Sequence, residues 1–102
     1  MGLAVHLQTE DGHVESRVED PKNLLGQCLP SSKDLSYLCL RFIDRYGDTY
    51  FNRLQMDVFL TEWDRVFSSV TAEETRQLVL RIRELGQRCQ KEPHLYLVFK
   101  GD

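Results

Sequence analysis

The chain has 102 residues, 41% hydrophobic and 28% charged, with 13 Lys and Arg against 16 Asp and Glu for a formal net charge of −3. That length suits one domain spanning 1–102, which buries roughly 60–70% of its unfolded surface. The interspersed, slightly acidic balance lacks the basic stripe a phosphate backbone demands, and no run reaches the roughly eighteen apolar residues of a membrane span, so neither nucleic acid nor a membrane is an expected partner.

The first eighteen residues read as a β-hairpin. Leu3, Val5 and Leu7 alternate with Ala4, His6 and Gln8, and past Asp11-Gly12 the alternation resumes as Val14, Ser16 and Val18 against Glu15 and Arg17. Asp20-Pro21 then predicts a short helix, with Asp as its cap and Pro in its first turn, a buried stripe of Leu24, Leu25, Cys28 and Leu29, and Pro30 as its stop. After the polar loop at residues 31–34, residues 37–43 alternate with Leu38, Leu40 and Phe42 on one face. Their other face is nearly as apolar, which predicts a central strand.

Tyr46-Gly47-Asp48 supplies turn chemistry, and a short return strand is expected at residues 49–51. Asn52 and Gln55 have the spacing of a capping box, with Phe51 and Met56 placed as its hydrophobic staple. The helix that follows is predicted over residues 53–68, burying Leu54, Val58, Phe59, Trp63, Val66 and Phe67. Thr71 and Glu74 suggest a second capping box, opening a helix over residues 72–91 with Leu78, Ile82, Leu85 and Cys89 on its inner stripe. Pro93 stops that helix, and Leu95, Leu97 and Phe99 mark a final strand. The element order β-β-α-β-(β)-α-α-β predicts an α+β two-layer sandwich, a mainly antiparallel sheet of about five strands with helices on one face.

The chain carries no phosphate-binding glycine loop, nucleophile elbow or zinc-binding HExxH, and no cofactor is expected. Cys28, Cys39 and Cys89 are odd in number, lack a CxxC and fall on apolar faces, which predicts packed thiols in a reducing, cytoplasmic setting. Too few apolar residues follow Met1 for a secretory leader to be expected. The mixed charges of the last helix read as a solvated face, and Phe59, Trp63 and Phe67, four apart, as core.

Two constellations remain. Asp44, Asp48 and His94 form the one candidate metal or acid–base set, on the condition that the last strand lies beside residues 37–43; Asp in a turn more often serves its own backbone. Side-chain parity places His6, Arg17, Tyr37, Arg41, His94 and Tyr96 together on the sheet face turned away from the helices, a mixture of the kind found at protein interfaces. The leading expectation is a small bacterial, cytoplasmic protein-binding module. In type it is analogous to immunity or adaptor proteins and acts through that face on another protein or on a second copy. A small metal-dependent hydrolase on Asp44, Asp48 and His94, and a structural homodimer subunit, are the alternatives.

Overall fold

The computed structural model describes residues 2–101. Four strands, β1 (Ala4–Thr9), β2 (Val14–Glu19), β3 (Asp48–Phe51) and β4 (Leu95–Lys100), and two helices, α1 (Met56–Ser69) and α2 (Glu73–Lys91), make an α+β fold. The sheet is antiparallel throughout in the order β2-β1-β4-β3, so the last strand inserts between the first and the third. The hairpin forms as its alternation predicts, with Gly12 at φ +90° in the turn, a conformation that suits glycine, and one register shift between Leu7 and Gln8.

One face of the sheet packs on the helices. Leu97 lies opposite Leu7 and Phe51, and Phe99 opposite Val5 and Thr49, which gathers the apolar residues of three strands in one row. Over that row the rings of Phe51, Phe59, Trp63 and Phe99 contact one another at centroid distances of 5.3 to 6.0 Å. The buried indole satisfies its one donor by giving Nε1–H to the Val79 carbonyl at 2.8 Å. The same pairing sets the antiparallel register of the helices, which Arg83 on Asp64 and Gln90 on Asp57 continue along their outer side. The helices approach closely at Gly86, where a Cβ would stand 2.9 Å from Leu60 Cδ2.

The capping box at Asn52 is present in full. The Asn52 side chain accepts the Gln55 N–H at 3.1 Å and the Gln55 side chain accepts the Asn52 N–H at 2.8 Å, opening a single 3-10 turn (Arg53–Gln55) that runs into α1. The second box, at Thr71 and Glu74, does not form: α2 starts behind Ala72, which offers no side-chain cap, and Glu74 turns instead to Lys22 at 2.9 Å. Arg76 closes the link between the helices, donating to the Val70 carbonyl with its guanidinium 4.0 Å from the centroid of the Phe67 ring.

Three expectations are corrected between residues 20 and 60. The helix after Asp20 is only a 3-10 turn (Leu25–Gln27), yet the buried Asp20 carboxylate still caps it, accepting the N–H groups of Leu24 and Leu25 at 2.8 Å each. The fifth strand, at residues 37–43, does not exist. The segment is a loop closed by a 3-10 turn (Leu40–Phe42), because the N–H groups of Leu38, Cys39 and Leu40, which a strand would give to a neighbour, all donate to the buried carboxylate of Glu62 on α1. Its inward residues are Cys39, Leu40 and Ile43, a helical spacing rather than a period of two, and Leu38 and Phe42 are exposed. The inner stripe of α1 is also rotated from the expected one: Met56, Phe59, Leu60, Glu62, Trp63 and Val66 are buried, whereas Leu54 and Val58 face out.

These assignments differ in their energetics. Leu40→Ala opens a cavity and is expected to lower stability by about 2–5 kcal/mol, whereas Leu38→Ala should stay within about 0.5 kcal/mol of the parent protein. Denaturant unfolding of the two variants checks this, and equal losses would restore the strand reading.

Candidate protein interface

The register places three of the six expected interface residues on the sheet face away from the helices. Arg17, His6 and Val98 stand in one row across β2, β1 and β4, and Tyr50 completes it on β3; Tyr96 lies opposite Gln8 one pair along. Tyr50 is not among the residues the sequence places on this face, although its alternation with the buried Phe51 is the signal that assigns it there. Its ring meets Tyr96 edge to face at 6.5 Å. The centre of this face is closed by its own side chains: Val98 is fully buried and Gln8 nearly so. Burial, followed by the charges of Arg17 and Lys100, pushes the His6 imidazole below its ordinary pKa and favours its neutral form.

Tyr37, Arg41 and His94 do not join this face. With residues 37–43 outside the sheet, Tyr37 packs against the core under the Arg65 guanidinium, 4.1 Å from its ring centroid, and Arg41 donates Nε–H to the Ser32 carbonyl at 2.9 Å. His94 sits in the turn before β4 at φ +65° with Nδ1 2.6 Å from the Glu10 carboxylate.

The Asp44, Asp48 and His94 set does not converge. Asp48 faces Lys100 at the far end of β4, with Nζ 2.9 Å from Oδ2, and His94 precedes the first residue of that strand. At roughly 3.3 Å per residue the two ends are about 20 Å apart. Asp44 serves its own turn, where Oδ1 accepts the Tyr46 N–H at 2.9 Å. Among the described residues no group of three or more His, Cys, Asp or Glu is placed to hold a metal ion. None of their helices is long and apolar enough to cross a membrane.

The largest exposed apolar side chains lie elsewhere, on the 35–46 loop and the start of α1. Leu38 is 67% exposed, Phe42 61%, Tyr46 83% and Leu54 81%, with Val58 also outward. Leu38 and Val58 line one depression of about 350 Å³ between the loop and α1. Phe42 and Tyr46 line a second of about 570 Å³. Leu54 lies four residues before Val58, so the two share a helix face across the capping turn. The segments are held together from inside. Glu62 gathers three loop N–H groups, Arg65 donates to the Ser36 carbonyl at 2.9 Å, and Arg45 donates to the carbonyls of Gly26 and Leu29 at 2.8 and 3.3 Å. One sequence signal for this surface existed: with both Leu54/Val58 and Met56/Leu60 apolar, the helix carries more apolar positions than one buried stripe holds.

Comparison with protein-family models, curated proteins and solved structures finds no match to this chain.

The thiols are packed rather than poised. Cys39 and Cys89 are buried and Cys28 half-buried, and burial raises the pKa of all three. Cys89, whose Sγ–H donates to the Leu95 carbonyl, is pushed up from 9.0 to about 11. A raised folded-state pKa gives stability that is complete below pH 9 and is lost as pH climbs towards 11, a loss of about 3 kcal/mol for this thiol. Urea unfolding across that window should therefore show a steeper decline for the parent protein than for Cys89→Ala. Parallel declines would contradict a buried, protonated Cys89.

Proposed function

We propose that this chain is a protein-binding module. Its contact surface is the apolar rim of the 35–46 loop and the first turns of α1. The observation that carries this reading is the joint exposure of Leu38, Phe42, Leu54 and Val58 around one loop–helix junction. Side chains of that size expose on the order of several hundred Å² of apolar surface, which a monomer seldom leaves bare unless it serves an interaction. The surface is ordered from within by a buried carboxylate, so little conformational entropy is lost when a partner docks. Such a module acts by occluding or scaffolding its partner, in the manner of adaptor or immunity proteins, and its three unpaired cysteines suit a cytoplasmic setting. The separation of Asp44, Asp48 and His94 weighs against the hydrolase.

The sheet face offers a second reading, since the Tyr50 and Tyr96 pair beside Arg17 has the residue types of interface anchors and would serve a homodimer.

Affinity capture from the source cell distinguishes the two surfaces. A partner held by the parent protein and by Tyr96→Glu, but lost with Leu38→Glu and with Leu54→Glu, is the expected result. Each charge placed at the centre of an apolar contact should weaken binding by ~2 kcal/mol or more. Loss with Tyr96→Glu alone would move the interface to the sheet. Circular dichroism checks that each variant is folded.

A further inference from the structure

Beside Phe42, the apolar rim opens into a depression lined by Pro30, Arg41, Phe42, Asp44, Arg45 and Tyr46. Its electrostatics run against those of the chain. Two guanidinium groups meet one carboxylate here, in a protein of formal net charge −3; Oδ1 of that carboxylate accepts the Tyr46 N–H, and the depression keeps an excess of one positive charge. Among the described residues neither Arg41 nor Arg45 has a carboxylate within ion-pair distance. Both are held by backbone carbonyls instead. Arg45 bonds Gly26 and Leu29 through its two terminal nitrogens, and Arg41 bonds Ser32 through Nε, which leaves the Nη groups of Arg41 as donors. A carbonyl fixes a guanidinium without neutralising it, and the Phe42 ring, its centroid 4.6 Å from Arg41 Cζ, helps to position the Arg41 group, so the charge is held in place with no carboxylate paired to it.

Resting on the protein-binding reading above, we propose that this depression receives an acidic segment of the partner. A carboxylate of that segment pairs with the Arg41 Nη groups, and an adjacent apolar side chain lies against Phe42 and Tyr46. Paired N–H donors facing a carboxylate give a charge-assisted, directional contact. The depression is shallow and open, whereas a small-molecule site encloses most of its ligand, so its shape fits a side chain borne on a larger partner. The same loop lines both depressions, with Leu38 at one and Phe42 at the other.

The probe is a synthetic peptide, acetyl-Asp-Glu-Leu-Glu-Asp-amide, titrated into the ¹⁵N-labelled full chain and followed by NMR at low salt. Its neutral isostere, acetyl-Asn-Gln-Leu-Gln-Asn-amide, and inorganic phosphate are titrated in parallel. Saturable shifts of the Arg41 Nε–H and of the amides at residues 42–46 are expected with the acidic peptide alone. Binding should weaken about tenfold in Arg41→Gln, the loss of one charge-assisted contact. It should also weaken in Phe42→Ala, a variant that removes the apolar contact and the ring against which the Arg41 guanidinium stacks. Equal binding of the isostere, shifts confined to other residues, or undiminished affinity in both variants would overturn the proposal. So would phosphate binding as tightly as the peptide, which would make the site one for phosphate. If the peptide fails while Leu38→Glu and Leu54→Glu still abolish partner capture, the acidic-segment proposal falls and the binding-module reading stands.

Discussion

The carboxylate of Glu62 organises the loop between the 3-10 turn at Leu25–Gln27 and β3. It is 5% exposed, and burying a charge at such a site is costly unless it is richly hydrogen-bonded. Three backbone N–H groups in succession, those of Leu38, Cys39 and Leu40, supply those bonds, and in doing so they bend the loop into a 3-10 turn. The same arrangement decides which side chains point where. Leu40 and Cys39 turn inward beside Glu62, and Leu38 and Phe42 are left to solvent. Asp20 plays the matching part for the preceding segment, holding Leu24 and Leu25 from a nearly complete burial of its own. Two buried carboxylates that accept loop N–H groups, with Arg45 and Arg65 donating to loop carbonyls, supply hydrogen bonds that regular structure would have given residues 20–47.

The sheet and helices provide the fixed platform against which that clamp works. β4 lies between β1 and β3 and carries Leu97 and Phe99 into the aromatic layer with Phe59 and Trp63. Because Trp63 is locked to the Val79 carbonyl, α1 cannot rotate about its axis without breaking a buried hydrogen bond. Its neighbour Glu62 is thereby aimed at the loop, and Val58, one turn earlier on the same side of the helix, is left at the open edge of the loop–helix depression beside Leu38. The apolar surface is thus a consequence of core packing in α1, not a loose end of the fold.

How much of this the sequence discloses depends on how far each determinant lies from its effect. The hairpin at Gly12, the Asn52–Gln55 box, the inner stripe of α2 and the alternation of Leu95, Leu97 and Phe99 are all written within a few residues, and each is legible. Residues 37–43 alternate well enough to pass for a strand. The group that overrules this pattern is 22 to 24 residues downstream, where a Glu flanked by Thr61 and Trp63 looks like one more surface charge. The placement of the candidate residues turns on the same segment. A shared face for Tyr37 and Arg41, and the approach of His94 to Asp44, each require a fifth strand, whereas His6, Arg17 and Tyr96 lie on strands and share one face.

The central claim, that Glu62 holds the loop through its backbone and so sets out the apolar surface, is tested most directly by amide hydrogen exchange. In the parent protein the N–H groups of Leu38, Cys39 and Leu40 should be protected although their segment lies outside any sheet or long helix. In Glu62→Gln, which keeps the shape but loses the charge and one acceptor oxygen, their protection should fall by about tenfold or more while that of the β1 and β4 amides is retained. Protection at residues 38–40 that is unchanged in Glu62→Gln would contradict the account.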